Sequence, residues 1–288
     1  AHIIRGEIYP DDIDVIVVGS GSGGAVSALN LAKKHGYKVL IIEAGPFYPS
    51  TLITHEERRM AARLFKHGAL QSTADNDFIV FQGRNVGGSP TINNGICLRM
   101  FGDPLNHAHA PNPLAKWRSI GVDIADADFA RAYDEVQAYL GLSRIEPRSG
   151  RTNGPHLLNG WHAFAQGKSE DWIKGAKAGW FTKNYGPAGT TSACAYCGYC
   201  NTGCPYGRKQ SMGQTYLPDV TAHHGARILC DTKVEEILWA DSDDDGAARR
   251  ATGVKIIDPD GQPHVIKAKK GVVVAAGLQP ADERGVDF

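Results

Sequence analysis

The chain has 288 residues, with 31 Lys+Arg against 31 Asp+Glu and 42% hydrophobic residues, which is ample for a packed core and excludes an intrinsically disordered protein. The balanced charge implies no whole-chain attraction to nucleic acid or an anionic membrane, and no apolar run is long enough to span a bilayer. The opening AHIIRGEIYP lacks the layout of a signal peptide, and a leader already removed would leave no trace, so cytoplasm and periplasm both stay open.

The first predicted elements occupy residues 14–43, DVIVVGSGSGGAVSALNLAKKHGYKVLIIE. An apolar run at 15–18 enters a glycine-rich turn, a helical pattern follows with Ala25, Ala28, Leu29 and Ala32 on one face, and a second apolar run at 39–42 ends on an acid. A lone GxGxxG is a weak signal, but strand, turn, helix, strand and acid in this order point to a dinucleotide. In that reading Gly19 allows the tight turn, Gly21 lets a pyrophosphate approach the backbone, Gly24 lets helix and strand pack closely, and Glu43 binds a ribose hydroxyl. An acid rather than Arg at 43 argues against a 2'-phosphate, while NAD and FAD both remain.

Residues 45–77 are mixed, with a helix expected around 56–64. His55 and Glu56 begin like the HExxH zinc motif, but no second His follows at the required spacing, so they read as helix surface. The stretch 82–100, QGRNVGGSPTINNGICLRM, is too rich in Gly, Asn and Ser for a regular element and offers backbone N–H groups to a flat ligand. Together with the opening turn it resembles the flavin-binding signature of the glucose-methanol-choline (GMC) oxidoreductase family, G-R-x-x-G-G-S-S-x-x-N. Gly83, Arg84, Gly87, Gly88, Ser89 and Asn93 match, whereas Pro90 and Cys97 depart from the pattern. The resemblance implies an α/β, Rossmann-like FAD-binding domain of the GMC type, with a partial substrate or cap region and a cysteine-rich insertion. It also implies non-covalent FAD, because Ile92 stands where some members carry the His that attaches their flavin.

Residues 126–140 have a helical period with Phe129, Tyr133, Val136 and Leu140 on one face and Gly141 as the C-cap. His107, His109, His156 and His162 read as solvated or hydrogen-bonded structural residues. The run Cys194-Ala-Tyr-Cys197-Gly-Tyr-Cys200-Asn-Thr-Gly-Cys204-Pro205 has the C-x2-C-x2-C-x3-C-P spacing of bacterial ferredoxins. Three of these thiolates would hold a 3Fe-4S cluster, or all four a 4Fe-4S one. A structural zinc is the rival reading, with disulfides or unligated thiols a third. The run also resembles a GMC subgroup of bacterial sugar and alcohol dehydrogenases that relay electrons through an iron–sulfur cluster, in which Gly and Lys follow as Gly207 and Lys209 do here. That resemblance implies a cytochrome or quinone as electron acceptor.

Residues 227–238 read as one or two strands, and 252–257 pairs with 264–268 across the turn 258–261. In the family a Val of this region contacts adenine through its backbone, and Val234 matches it. The acidic stretch 241–246 imitates half a calcium loop, but Thr252 stands at the closing position, so a solvated turn is expected. GVVVAAG at 271–277 reads as a buried strand, which in the family returns to the pyrophosphate and brings Gly277 to it.

These elements suggest an FAD-binding core at 1–110, a helical region with the cysteine insertion at 111–220, and return strands at 221–288. The resemblance covers nearly the whole chain but about half of the family's architecture. It implies a catalytic His and substrate sheet supplied by a second polypeptide or a missing half, and the tail 278–288 has no apolar period. The expected function is oxidation of an alcohol or sugar hydroxyl by hydride transfer to flavin, with the catalytic residue unassigned. A non-catalytic FAD and iron–sulfur electron-transfer subunit and an NAD-dependent dehydrogenase with structural zinc are the alternatives.

Overall fold

A short strand Ile3–Ile4 (β1) precedes two strands built from aliphatic residues alone, Val15–Val18 (β2) and Val39–Ile42 (β3), both buried at every position. The computed structural model describes residues 3–4, 10–97, 99, 113–144, 182–240 and 249–277. His107, His109, His156, His162, the acidic stretch 241–246 and the tail 278–288 lie outside the described residues. The chain divides into two compact units, one of Ala1–Asn94, Tyr199–Gly207 and Ser211–Phe288, the other of Gly95–Gly198 and Arg208–Gln210.

In the first unit β2 and β3 pair in parallel, Val15 opposite Val39 through Val18 opposite Ile42. Helix Ser22–His35 (α1) joins them and buries Gly24, Ala25, Ala28, Leu29 and Ala32, the face expected from the period. Gly36, left-handed at φ 66°, donates its N–H to the carbonyl of Ala32 while Tyr37 N–H reaches that of Leu31, and Lys33, Lys34 and His35 complement the negative end of the helix dipole. Helix Glu57–Leu64 (α2) buries Met60 and Leu64 against Ile53 and Ile92.

The second unit contains helices Pro113–Ser119 (α3) and Asp126–Leu140 (α4), the latter closed by Gly141 at φ 59° as expected. Trp117, Phe129 and Tyr133 form an edge-to-face ladder with centroids 5.6 and 5.1 Å apart. Of the predicted apolar face of α4, Leu140 is buried while Val136 is 36% exposed. Ser143–Arg144 (β4) and Thr182–Lys183 (β5) pair antiparallel.

The first unit resumes with helix Tyr216–His223 (α5), which packs against α1. Strand Arg227–Leu229 (β6) pairs with β3, and the chain then turns through Asp231 at φ 55° into Lys233–Trp239 (β7), so the apolar stretch makes two strands in different sheets. Ala251–Ile257 (β8) and Pro263–Lys267 (β9) form the expected antiparallel pair and extend β7 into a three-stranded sheet. Gly271–Val274 (β10) returns beside β2, giving the parallel order β1-β6-β3-β2-β10. The expectation of a buried strand here is corrected: among the described residues β10 is the edge strand of this sheet, half-buried, with Val274 46% exposed.

Alternation sorts the layers. Ile16, Val18, Leu40, Ile42 and Leu229 face Val234, Val254, Ile256 and Ile266 of the antiparallel sheet, whereas Val17 faces α1 beneath Gly24. The central strands are therefore covered on both sides, which is why their sequences are continuous apolar runs.

Leu40 is fully buried and Val265 is 55% exposed. Leu40→Ala is expected to cost about 2–5 kcal/mol and Val265→Ala under about 0.5 kcal/mol, read from denaturant unfolding. Equal losses would contradict this layering.

Candidate functional site

Beyond the last residue of β2 the chain has to reverse into α1 within a few residues, and glycine makes that possible. A Cβ on Gly19, held at φ 93°, would lie 2.5 Å from the carbonyl oxygen of Ala275, and one on Gly24 would lie 1.9 Å from the carbonyl oxygen of Gly19. Strand end, turn and helix are thus in backbone contact. The first-turn N–H groups of α1 have no intrahelical acceptor and Gly21 offers no side-chain cap, so this end of the helix suits an anion.

The glycine-rich loop at 83–89 crosses beside the turn. A Cβ on Gly88 would come within 2.8 Å of the Cα of Gly21. Ser89 Oγ accepts the N–H of Gly83 at 3.0 Å, and Asn85, 1% exposed, donates to the carbonyl of Leu64 at 3.1 Å. Between these two loops, the end of β3, the start of β7 and the residues after β10 lies a cavity of about 690 Å³.

Glu43 is 8% exposed at its wall. Its Oε2 accepts from Ser20 N–H at 3.0 Å and Ser20 Oγ at 2.6 Å, and its Oε1 accepts from Gly45 N–H at 2.9 Å. The Ser20 hydroxyl in turn accepts the N–H of Gly87 at 2.9 Å. Burial pushes the Glu43 carboxyl above its ordinary range, opposed by these hydrogen bonds and by the charge of Arg84. A carboxylate oxygen offers about two acceptor positions, so Oε1 retains one for a ligand hydroxyl.

Of the residues singled out by sequence, Gly19, Gly21, Glu43, Arg84, Gly88, Ser89, Val234 and Gly277 line this one cavity. Gly24, Gly87 and Asn93 do not. Gly24 and Gly87 are occupied in packing, and Asn93 donates its backbone N–H to Ser89 at 3.0 Å. Sequence reading missed Ser20, Lys66, His67, Gln82 and Thr232, which share the wall. Ser20 carried a usable signal as a small hydroxyl inside the glycine turn; the others belong to no motif.

Among the described residues no group of three or more His, Cys, Asp or Glu side chains is arranged to hold a metal ion, and none of the described cysteines is in a disulfide. The expected convergence of Cys194, Cys197, Cys200 and Cys204 on an iron–sulfur cluster, or on zinc, rests on their spacing in the sequence. Local turns shape the run: Cys194 Sγ accepts the N–H of Tyr196 at 3.3 Å, and Cys200 opens a 3-10 turn whose following Gly203 packs on Ile53 and Leu64. The run also crosses from one compact unit to the other after Gly198.

Residues 14–279 match the family described as GMC oxidoreductase. A long-chain-alcohol oxidase of Arabidopsis thaliana is 29% identical over 267 residues, covering 92% of this chain and 33% of that protein. A GMC-type oxidoreductase of Mycobacterium tuberculosis is 31% identical over 270 residues, covering 92% and 37%. The chain thus spans about a third of the length of these relatives. The solved structure of a fungal aryl-alcohol oxidase is similar in fold, with a TM-score of 0.53 at 17% identity over 93% of this chain and 46% of that one.

With its pKa raised in the folded state, Glu43 binds its proton more tightly there than in the unfolded chain. It therefore draws stability down as pH rises from the ordinary glutamate range through its folded value. Glu43→Gln should remove that decline while leaving one of the Ser20 or Gly45 donors unsatisfied, a constant cost of about 1–3 kcal/mol. Unfolding midpoints of both proteins across acidic to neutral pH should converge as pH rises; parallel curves would overturn the assignment.

Proposed function

The chain belongs to the GMC oxidoreductase family, and from that premise we propose that it is the flavin-binding portion of an FAD-dependent oxidoreductase acting on the CH–OH group of an alcohol. The observation that carries this reading is the cavity of about 690 Å³ walled by both glycine loops, a size suited to a cofactor. Bound there, FAD supplies a two-electron acceptor for hydride from an alcohol carbon.

We assign Gly19, Gly21 and the first turn of α1 to the pyrophosphate, where unpaired N–H groups and the helix dipole favour an anion. Glu43 takes a ribose hydroxyl on the open position of Oε1 while its other bonds keep the two loops in place. Val234 is assigned to adenine, and Arg84, Gly88, Ser89 and Gly277 to the remainder of the dinucleotide. Gly24, Gly87 and Asn93 act through the backbone that carries these contacts. The names of the Arabidopsis relatives favour a long-chain alcohol over a sugar as substrate. We assign no residue of this chain to the hydroxyl proton.

A second reading, an electron relay through Cys194, Cys197, Cys200 and Cys204 to a cytochrome or quinone, stands on their ferredoxin-like spacing. Iron and acid-labile sulfide measured against flavin in one sample decide it: iron in proportion to flavin supports the relay, and flavin without iron eliminates it. A partner polypeptide carrying the substrate site would be seen as co-purification in stoichiometric amount.

Gly21 has φ −68° and ψ −164°, and a Cβ there would meet no protein atom nearer than the Cα of Gly88 at 4.0 Å. The protein therefore tolerates a methyl that a pyrophosphate would not. Gly21→Ala should change folding stability by less than about 1 kcal/mol and weaken FAD retention about tenfold or more, equivalent to at least ~1.4 kcal/mol of binding. Unaltered flavin content and affinity would sink the assignment of the cavity.

A further inference from the structure

The segment between α2 and the glycine-rich loop at 83–89 contains an unusual backbone. His67 (φ 51°, ψ 29°), Gly68 (φ 62°, ψ 29°) and Ala69 (φ 69°) are three successive residues in the left-handed region. Two of them carry a Cβ, which conflicts with the following carbonyl in that conformation. The turn is held from both sides. Lys66 N–H donates to the carbonyl of Gln82 at 2.8 Å, Phe65 bridges to Gly83, and Leu70 N–H donates to the carbonyl of His67 at 3.1 Å.

What these bonds achieve is placement. Lys66 and His67 lie on the wall of the cavity, next to Gln82, whose Nε2 would be 3.2 Å from a Cβ on Gly277. The His67 side chain is exposed and makes no hydrogen bond, ion pair or ring contact among the described residues. Its neighbours in the turn do not explain why a residue with a Cβ occupies the position, since Gly68 beside it has open space where a side chain would go. Strain of this kind persists where surrounding structure over-determines it, and it concentrates at ligand clamps.

We infer that His67 is a further cofactor-contacting residue, its imidazole presented to the bound dinucleotide by the left-handed turn 67–69. This rests on the reading that FAD occupies the cavity. The ring has two nitrogens that hydrogen-bond, and with Lys66 and Arg84 it adds to a wall whose polarity suits an anionic ligand. The contact is sequence-distant from both glycine motifs, so it belongs to neither signature.

The two effects of the residue separate in substitution. His67→Gly keeps the backbone in a conformation that glycine adopts freely while removing the ring; His67→Ala removes the ring and keeps the strain; His67→Asn keeps a polar group in a residue that tolerates the left-handed region. With the full chain and FAD as the probe, His67→Gly should hold or raise the unfolding midpoint of the flavin-free protein and increase the FAD dissociation constant about fivefold or more. His67→Ala should leave the midpoint near that of the parent while lowering affinity, and His67→Asn should lie between His67→Gly and the parent in affinity. An FAD dissociation constant for His67→Gly within twofold of the parent overturns the inference. Gly21→Ala serves as the control for the cavity itself: release of FAD from Gly21→Ala but not from His67→Gly would refute the role of His67 alone, and retention in both would refute the occupant.

Discussion

Three segments distant in sequence meet through one buried carboxylate. A charged or polar group removed from water is costly unless its hydrogen-bonding capacity is met, and Glu43 meets it with the N–H and hydroxyl of Ser20 and the N–H of Gly45. Ser20 is itself satisfied on its acceptor side by Gly87 N–H. The order of donation, Gly87 to Ser20 to Glu43, holds only if the turn after β2, the end of β3 and the glycine loop at 83–89 are all in register. Displacing any one would strand a buried polar group. The cavity wall is therefore specified by satisfaction of polar atoms as much as by packing.

The same region is assembled by backbones pressed against backbones. A Cβ on Gly45 would fall 2.3 Å from the carbonyl carbon of Arg84, and one on Gly83 would fall 2.7 Å from that of Gly88. These contacts remove side chains from the interior of the wall, leaving amide groups to face a ligand. They also make the wall stiff, since backbone atoms held on both sides have no rotamers through which to yield.

Much of this architecture was legible in the residues. The apolar runs at 15–18 and 39–42 announced strands, and Gly24 with the small residues of α1 announced a helix packed close to them; that the strands are covered on both faces emerged from the fold. The helix at 126–140 and its Gly141 cap followed from period and from the conformational freedom of glycine. What was hidden depends on long-range closure. Ser20 becomes important only when Glu43 and Gly87 reach it, and His67 and Thr232 join the wall through connections that no local pattern encodes. The half-buried state of β10 was misread for a related reason: its sequence is as apolar as β2, but position at a sheet edge is a property of topology. The cysteine spacing is the opposite case, a strong local signal carried by the sequence alone.

The strand order carries a consequence for how the molecule is made. The central pair, β2 and β3, comes from residues 15–42, while the strands that flank it, β6 and β10, come from residues 227–229 and 271–274. A ribosome releases the middle of this sheet long before it releases either side. Until residues 227–229 and 271–274 follow, two apolar strands have unpaired N–H and C=O groups along their outer edges, a template for pairing with another nascent chain. Closure requires contacts of very high sequence separation, which is slow. Until β10 emerges, one edge of the central pair stays open to such pairing.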